Sequence, residues 1–180
     1  MRQIRPKSPL AIIPLLVASL TASHASAQVI WDGPSIQFSK SAGADPTQEA
    51  NQDRITDSVW ITRGGTAGIY NAFSELGYVV NSSPAGTEWA YGTTGDLQSL
   101  TFQPWQLTIG SNPPSSVGRD MGLHLIAEDA YLDIRFDTWG QGSAAGGFFS
   151  YTRSTNPAPE PTALFLLSVS AGAVGIRRRR

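Results

Sequence analysis

The sequence predicts an all-β fold for the middle of the chain, arranged as a single sandwich or jelly-roll-like domain. In the most regular segment, residues 130–139, apolar and polar side chains alternate, so that Leu132, Ile134 and Phe136 share one face of a strand. The other apolar runs are short and are broken often by Gly, Pro, Asn and Asp, which form turns. Helical periodicity is almost absent, and this combination is typical of β-sandwich domains.

The predicted strands, in chain order, are residues 29–31, 35–40, 58–62, 87–91, 97–102, 106–109, 121–126, 130–139 and 148–153. Residues 32–34 (Asp-Gly-Pro) have the chemistry of a turn, and residues 127–129 suit a short hairpin loop. Residues 66–79 are ambiguous, because their apolar side chains recur at the spacing i, i+4, i+7 that a short helix would also use.

Charge divides the chain into three parts. Residues 1–27 carry three basic residues and no acid, and the chain ends on four arginines. Residues 28–159 hold six basic and thirteen acidic residues, a net charge of −7. This acidic middle lacks the basic face that neutralises phosphates, which argues against binding to nucleic acid. The absence of cysteine excludes disulfides and thiolate metal sites.

Residues 1–27 are predicted to be a secretory signal peptide. Their basic start is followed by an uncharged apolar run at residues 10–20 and then by small residues ending in Ala25-Ser26-Ala27. Small side chains at Ala25 and Ala27 fit the pockets of a signal peptidase, and cleavage would leave Gln28 as the first residue. The alternative is an uncleaved anchor, although the apolar run is short for crossing about 30 Å of hydrocarbon.

Residues 157–180 are predicted to be a membrane-directed tail that follows a β-rich extracytoplasmic domain at residues 28–156. A proline-rich start precedes the uncharged stretch 162–176, which would give about 22 Å of transmembrane helix. The chain then ends in a basic cluster of four residues, Arg177, Arg178, Arg179 and Arg180. Arginines at the end of a membrane helix stay on the cytoplasmic side, so the middle domain is expected outside, in agreement with the signal peptide.

The order of Pro159-Glu160-Pro161, a short apolar helix and a terminal arginine cluster resembles the PEP-CTERM sorting signal. This resemblance implies a Gram-negative bacterial source and recognition by an exosortase, a membrane-embedded cysteine protease-transpeptidase that removes the tail near the motif. It also implies a place at the cell surface or outside the cell, beside exopolysaccharide, in biofilm or flocs. The alternative is a plain tail anchor, which has the same topology but undergoes no processing.

The middle domain also resembles a group of uncharacterised secreted bacterial proteins. The similarity lies in residues 52–71, 83–90 and 122–155, which together cover most of the exported part. Such domains are followed by various surface-sorting tails, and no activity is assigned to them. The resemblance therefore supports secretion and a β fold.

Three kinds of site can be considered, and none is favoured over a structural role. His124 could serve a Ser-His-Asp triad, but the chain has no Gly-x-Ser-x-Gly elbow. Glu88 and Glu75 could form a glycosidase pair, which needs two carboxylates about 5–10 Å apart. Calcium binding makes better use of the excess acidic residues, because Ca²⁺ is bound by carboxylate oxygens. The candidate ligands for calcium are Asp45, Glu49, Asp53 and Asp57 in one loop region, and Glu128 and Asp129 in a hairpin turn.

The tryptophans are the remaining candidates, since sugar rings stack on exposed aromatic faces. Trp60 and Trp139 lie in strand-like segments and are expected in the core. Trp89 and Trp105 lie beside loop signals and are the candidates for glycan contact. The sequence thus favours a non-enzymatic, exported surface or matrix protein without a resident cofactor. The alternatives are a carbohydrate-binding module, with or without calcium, and a glycoside-active enzyme.

Overall fold

Largely antiparallel β-sheets are the main regular structure in the computed structural model, which describes residues 28–157. The strands are β1 (Val29–Trp31), β2 (Gly33–Lys40), β3 (Asp53–Arg54), β4 (Trp60–Arg63), β5 (Ile69–Asn71), β6 (Thr87–Tyr91), β7 (Asp120–Leu125), β8 (Ala130–Trp139) and β9 (Phe149–Thr155). The helices within this range are short: α1 (Trp105–Thr108) and the 3-10 turns Glu49–Asn51, Thr94–Ser99, Pro113–Ser116 and Ser143–Ala145. The predicted predominance of β structure is confirmed.

The strands form one large and one small sheet. The large sheet has the order β2-β9-β8-β7-β6, and β1 adds to it by running parallel to the first residues of β8. The small sheet has the order β3-β4-β5. The predicted hairpin loop at residues 127–129 connects β7 to β8, because Leu125 pairs directly with Ala130.

The alternation in β8 has the predicted register. Leu132, Ile134 and Phe136 are buried, while Arg135 on the opposite face is exposed. Asp133 and Asp137 are only half-buried rather than fully exposed, and Tyr131 is buried. This part of the outer face is covered because the ring of Tyr131 stacks on His124 at 4.3 Å and meets the edge of Phe102 at 5.3 Å.

One hydrophobic core joins the two sheets. Ile61 and Ile69 of the small sheet belong to the same buried cluster as Leu123 and Leu132 of the large sheet. Trp89 also lies in this cluster, where its ring is stacked on Phe136. Burial of each large apolar side chain contributes about 1.5–3 kcal/mol, so this shared core is the main source of stability.

A buried ion pair also connects the sheets. The Arg153 guanidinium of β9 donates from Nε to Asp53 Oδ2 at 2.6 Å and from Nη2 to Asp53 Oδ1 at 2.8 Å. The Tyr151 hydroxyl donates to the same carboxylate at 2.7 Å. Burial, and next the negative charge of Asp53, raise the pKa of Tyr151 well above 10. The pair therefore holds β3 against β9 through a fully satisfied carboxylate.

Two segments that were predicted as strands are not strands. Residues 97–99 end the 3-10 turn Thr94–Ser99 and residues 100–102 lie outside any helix or strand, while residues 106–109 lie in and just after α1. Helix α1 begins after Pro104, whose carbonyl accepts hydrogen bonds from the amides of Leu107 and Thr108. It is followed by Gly110, whose positive φ of 60° is suited to glycine at a helix end. Local turn chemistry therefore outweighs the short apolar runs.

The helical alternative for residues 66–79 is wrong. Ile69 lies in β5 and pairs with Arg63, whereas Phe73 and Leu76 are exposed. The Asn71 side chain holds this segment in place by accepting from Trp60 N at 2.8 Å and donating to Ser58 O at 2.7 Å. Within residues 28–157, no helix is long and apolar enough to cross a membrane. The predicted span at 162–176 lies outside the described residues.

Candidate functional site

A groove opens where β4 and β8 end, at one edge of the shared core. We call it the end groove, and its defining residues are Arg63, Tyr78, Gln106, Asn112, Trp139 and Gln141. Its volume is about 270 Å³. The groove combines two aromatic rings, three side-chain amides and one guanidinium, which is the mixture of apolar surface and placed polar groups that ligand sites use.

Arg63, the last residue of β4, forms the charged wall of the end groove. Only 2% of this residue is exposed, and its guanidinium lies 3.9 Å from the ring centroid of Trp139. Its Nε donates to Ala67 O at 2.9 Å and its Nη1 to Phe148 O at 3.0 Å. Burial lowers the pKa of Arg63 to about 10, so the side chain remains a cation at neutral pH.

Lys40 is a second buried cation near the same end of the sheets. Phe149 pairs with Lys40 on one side and with Trp139 on the other, so all three side chains point to the inner face. The Lys40 Nζ is buried and has no hydrogen-bond partner within residues 28–157. Burial lowers the pKa of Lys40, and the charge of Arg63 lowers it further. The charge of Asp45 opposes part of this lowering, and the interior behind the groove holds two basic side chains.

Tyr78 forms the aromatic wall of the end groove, and glycine at position 68 makes this arrangement possible. A Cβ atom on Gly68 would lie 2.5 Å from the Tyr78 ring and 2.8 Å from the Trp105 ring, which is closer than van der Waals contact allows. Burial raises the pKa of Tyr78, so its hydroxyl is neutral at physiological pH. Gln106, beside it, accepts a hydrogen bond from the backbone amide of Asn81.

His124 lies on the outer face of the large sheet, away from the core. Its Nδ1 is 3.3 Å from Glu88 Oε2, and its Nε2 is 3.3 Å from Asp129 Oδ1. Both ring nitrogens therefore face carboxylates rather than a serine hydroxyl, so the arrangement is not that of a Ser-His-Asp triad. The ring also stacks parallel to Tyr131, with an interplanar angle of 2°, which fits a structural role in covering the sheet.

The two glutamates considered for glycoside chemistry have different partners. Glu75 Oε2 accepts from the backbone amides of Asn71 at 2.6 Å and Ala85 at 3.1 Å, which fixes the loop after β5. Glu88 lies on β6 and faces His124. The structure therefore gives each carboxylate a separate contact, and it does not bring the two together as a catalytic pair.

The candidate calcium ligands are also dispersed. Asp45 accepts from the Thr47 amide at 2.9 Å and caps its own turn, Glu49 pairs with Arg54 at 3.1 Å, and Asp53 is held by Arg153. Over residues 28–157, no group of three or more His, Asp or Glu side chains is placed to hold a metal ion. The hairpin residues Glu128 and Asp129 contact Ser58 and His124, respectively.

The prediction that Trp89 and Trp105 are exposed is wrong. Both are completely buried, so neither presents a face to a glycan. Trp89 points inward because it pairs with Leu123 in the ladder between β6 and β7, and its Nε1 donates to Thr87 Oγ1 at 2.9 Å. Trp105 packs against Trp139 at 5.7 Å. Trp60 and Trp139, which were expected in the core, are both partly exposed, although Trp139 packs against the core cluster.

Sequence reasoning missed the residues that build the end groove, since Trp139 was considered only as a core residue. Arg63 carries one local signal, since it precedes Gly64-Gly65 and so ends a strand at a turn. The burial of this residue depends on a carbonyl 85 positions away, at Phe148, which no local pattern reveals.

The predicted processing sites lie outside the described residues. These are the signal cleavage residues Ala25 and Ala27, the motif residues Pro159, Glu160 and Pro161, and the basic end Arg177, Arg178, Arg179 and Arg180.

Comparisons of this chain with protein-family models, with curated proteins and with solved structures found no match.

Proposed function

We propose that this protein is an exported, non-enzymatic component of the cell surface or extracellular matrix, sorted by its C-terminal tail. The observation that carries the proposal is the position of the two predicted processing points relative to the strands. The first strand begins at Val29, two residues after Ala27, and the last ends at Thr155, four residues before Pro159. Cleavage at both points would leave every strand of the domain intact.

In this proposal the chain crosses the inner membrane of a Gram-negative bacterium and is cleaved by signal peptidase. Residues 162–176 then hold it in the membrane, with the arginine cluster on the cytoplasmic side, until an exosortase acts at Pro159-Glu160-Pro161. Glu160 is a charged recognition group between two rigid residues, presented close to the outer interface. The matrix in which the protein resides is exopolysaccharide, and no cofactor is required.

The test is the mass of the mature protein made in hosts with and without the sorting enzyme. We expect Glu160→Ala to block removal of the tail while membrane insertion persists, because the apolar stretch is unchanged. Asn156→Ala is the matched control, since Asn156 is an exposed polar residue just before the tail, and it should be processed normally. Recovery of the intact Arg180 terminus in both hosts would show that the tail is only a membrane anchor and is not processed.

A second candidate function, carbohydrate binding, is favoured by the end groove. Its aromatic rings offer surface for the C–H face of a sugar, and its amides can both donate to and accept from hydroxyl groups. We expect Tyr78→Ala to weaken binding of the purified protein to exopolysaccharide from its host, as measured by affinity electrophoresis. Phe73→Ala is the control, because Phe73 is an exposed aromatic residue that does not line the groove. If exopolysaccharide retards both variants equally, the end groove is not the carbohydrate-binding site.

The finer architecture that we propose is a two-layer sandwich, in which the β3-β4-β5 sheet covers the inner face of the large sheet. The shared hydrophobic cluster and the Asp53–Arg153 pair support this arrangement. It makes the end groove an opening between the layers, which is where loops and strand ends commonly form binding sites.

A further inference from the structure

The cations of this domain differ sharply in their partners. Arg54, Arg135 and Arg153 each contact a carboxylate within 3.5 Å. The two most buried cations, Lys40 and Arg63, are each only 2% exposed, and neither contacts a carboxylate within residues 28–157. Acidic residues are not scarce, since residues 28–159 hold thirteen of them against six basic residues. Within residues 28–157, a buried cation without a carboxylate partner is therefore a local feature of this end of the fold.

Burying a charge without a counter-charge is unfavourable, so such groups are normally paired or neutral. Arg63 is instead solvated by two carbonyls and by the face of Trp139. These contacts orient the guanidinium but leave its positive charge uncompensated. Lys40 is a second buried basic group, and its amine lacks even a hydrogen-bond partner in the described part of the chain. An anion in the end groove would supply a counter-charge to Arg63, which lines it.

The Arg63 guanidinium is accessible to such an anion from the end groove. Its Nε and Nη1 are used by Ala67 and Phe148, while Nη2 makes no hydrogen bond to any described residue. Arg63 lines the end groove, so a ligand in the groove would lie beside this side chain. A carboxylate can accept from Nη2 and from the second N–H of Nη1, which is the paired geometry that guanidinium groups favour.

The other side chains that line the end groove indicate which kind of molecule would bear the anionic group. Tyr78 and Trp139 supply aromatic surface, and Gln106, Asn112 and Gln141 supply amides that match hydroxyl groups. Its volume of about 270 Å³ lies near the lower end of the range of about 300–1,000 Å³ for small-molecule sites, which suits one or two sugar units.

We propose that the end groove binds a carboxylate-bearing sugar unit of an acidic polysaccharide, with Arg63 as the anion-binding residue. This inference rests on the second candidate function and adds the class of ligand. The net charge of −7 over residues 28–159 repels an acidic polymer at long range, so binding would depend on this local site rather than on general electrostatic attraction.

The test uses the purified exported protein and two probes, an oligogalacturonate and its methyl ester, which differ in the charge of the carboxylates and by one small methyl group per unit. We expect calorimetry to show at least about tenfold tighter binding of the acid, the effect of one charge-assisted contact. Arg63→Gln should reduce this preference to about twofold or less, because only neutral contacts remain. Arg54→Gln is the matched control, since Arg54 also lies over a tryptophan, Trp60 at 4.2 Å, but lines a different pocket.

The wild-type protein alone provides a second measurement if the Arg63 variant does not fold. Thermal stabilisation by the acid should exceed that by the ester, and it should survive an increase in salt from about 0.05 M to about 0.3 M, because added salt screens the long-range repulsion more than the buried contact.

The outcomes separate the two levels of the proposal. If neither probe binds and host exopolysaccharide also fails to bind, the proposed carbohydrate-binding function is refuted. Equal binding of acid and ester would overturn the role of Arg63 while leaving carbohydrate binding in place. If inorganic phosphate or sulfate competes as well as galacturonate does, the groove is a simple anion site and the sugar specificity is wrong.

Discussion

Replacement of Asp53 by asparagine is the most direct test of the contact between the two sheets. Asp53 and Arg153 are 7% and 6% exposed, and two hydrogen bonds of 2.6 and 2.8 Å join them. The substituted amide would preserve the shape of the side chain but would leave Arg153 buried without a counter-charge. The hydroxyl of Tyr151, which donates to Asp53, would also lose a charged acceptor.

The expected cost is large on the scale of domain stability. Removing one member of a buried ion pair costs about 3–5 kcal/mol, whereas whole domains are stable by about 5–15 kcal/mol. With a urea dependence of about 2 kcal/mol per molar, a loss of about 4 kcal/mol lowers the unfolding midpoint by about 2 M. Urea titration of the purified exported protein, followed by tryptophan fluorescence, measures this shift.

Two further variants make the interpretation specific. Asp120→Asn removes an ion pair of 3.5 Å between half-exposed side chains, and it should cost at most about 1 kcal/mol. The double variant Asp53→Leu with Arg153→Met removes both buried charges and should recover much of the loss. If Asp53→Asn shifts the midpoint no more than Asp120→Asn does, the pair does not hold the sheets together, and the reasoning fails.

Three other changes have defined outcomes. Ile134→Asp should cost several kcal/mol in the same titration, since it buries an unpaired charge, whereas Asp133→Asn on the half-buried face should cost about 1 kcal/mol; similar costs would refute the register of β8. The raised pKa of Tyr151 means that the unfolded chain loses this proton first, so stability should fall as the pH rises above 10, and a flat profile from about pH 9 to about pH 11 would contradict the burial. Gly68→Ala should displace Tyr78 and weaken oligosaccharide binding, and it should also lower stability because the added Cβ meets the buried Trp105 ring; unchanged binding would show that Tyr78 is not part of the site.

The long strands could be predicted from the sequence because each carries enough alternation to identify its buried face. In β8, ten residues with period two determine that Leu132, Ile134 and Phe136 point inward. The burial of side chains on the opposite face of β8 could not be predicted. Tyr131 is buried there by Phe102 and His124, and their approach depends on how distant segments pack.

The short elements could not be predicted, for a physical reason. A single helical turn such as α1 contains too few residues to show a period, so its apolar side chains also fit a strand. The exposure predicted for the tryptophans was wrong because adjacent Gly and Pro residues are a weaker signal than register. In β6, Thr87, Trp89 and Tyr91 alternate with Glu88, and this alternation already indicates an inward-facing Trp89.

The contrast between Arg153 and Arg63 explains why one buried cation contributes to stability and the other is suited to binding. Arg153 lies within β9, where the opposing sheet supplies Asp53 and closes the site from solvent. Arg63 lies at the last position of β4, beside the end groove, and within residues 28–157 its partners are two carbonyls and the Trp139 ring. Completing the second site from within would require a carboxylate in the groove, which would fill it. Because the fold leaves this position open, the missing counter-charge can be provided by a ligand, and its binding would stabilise the domain.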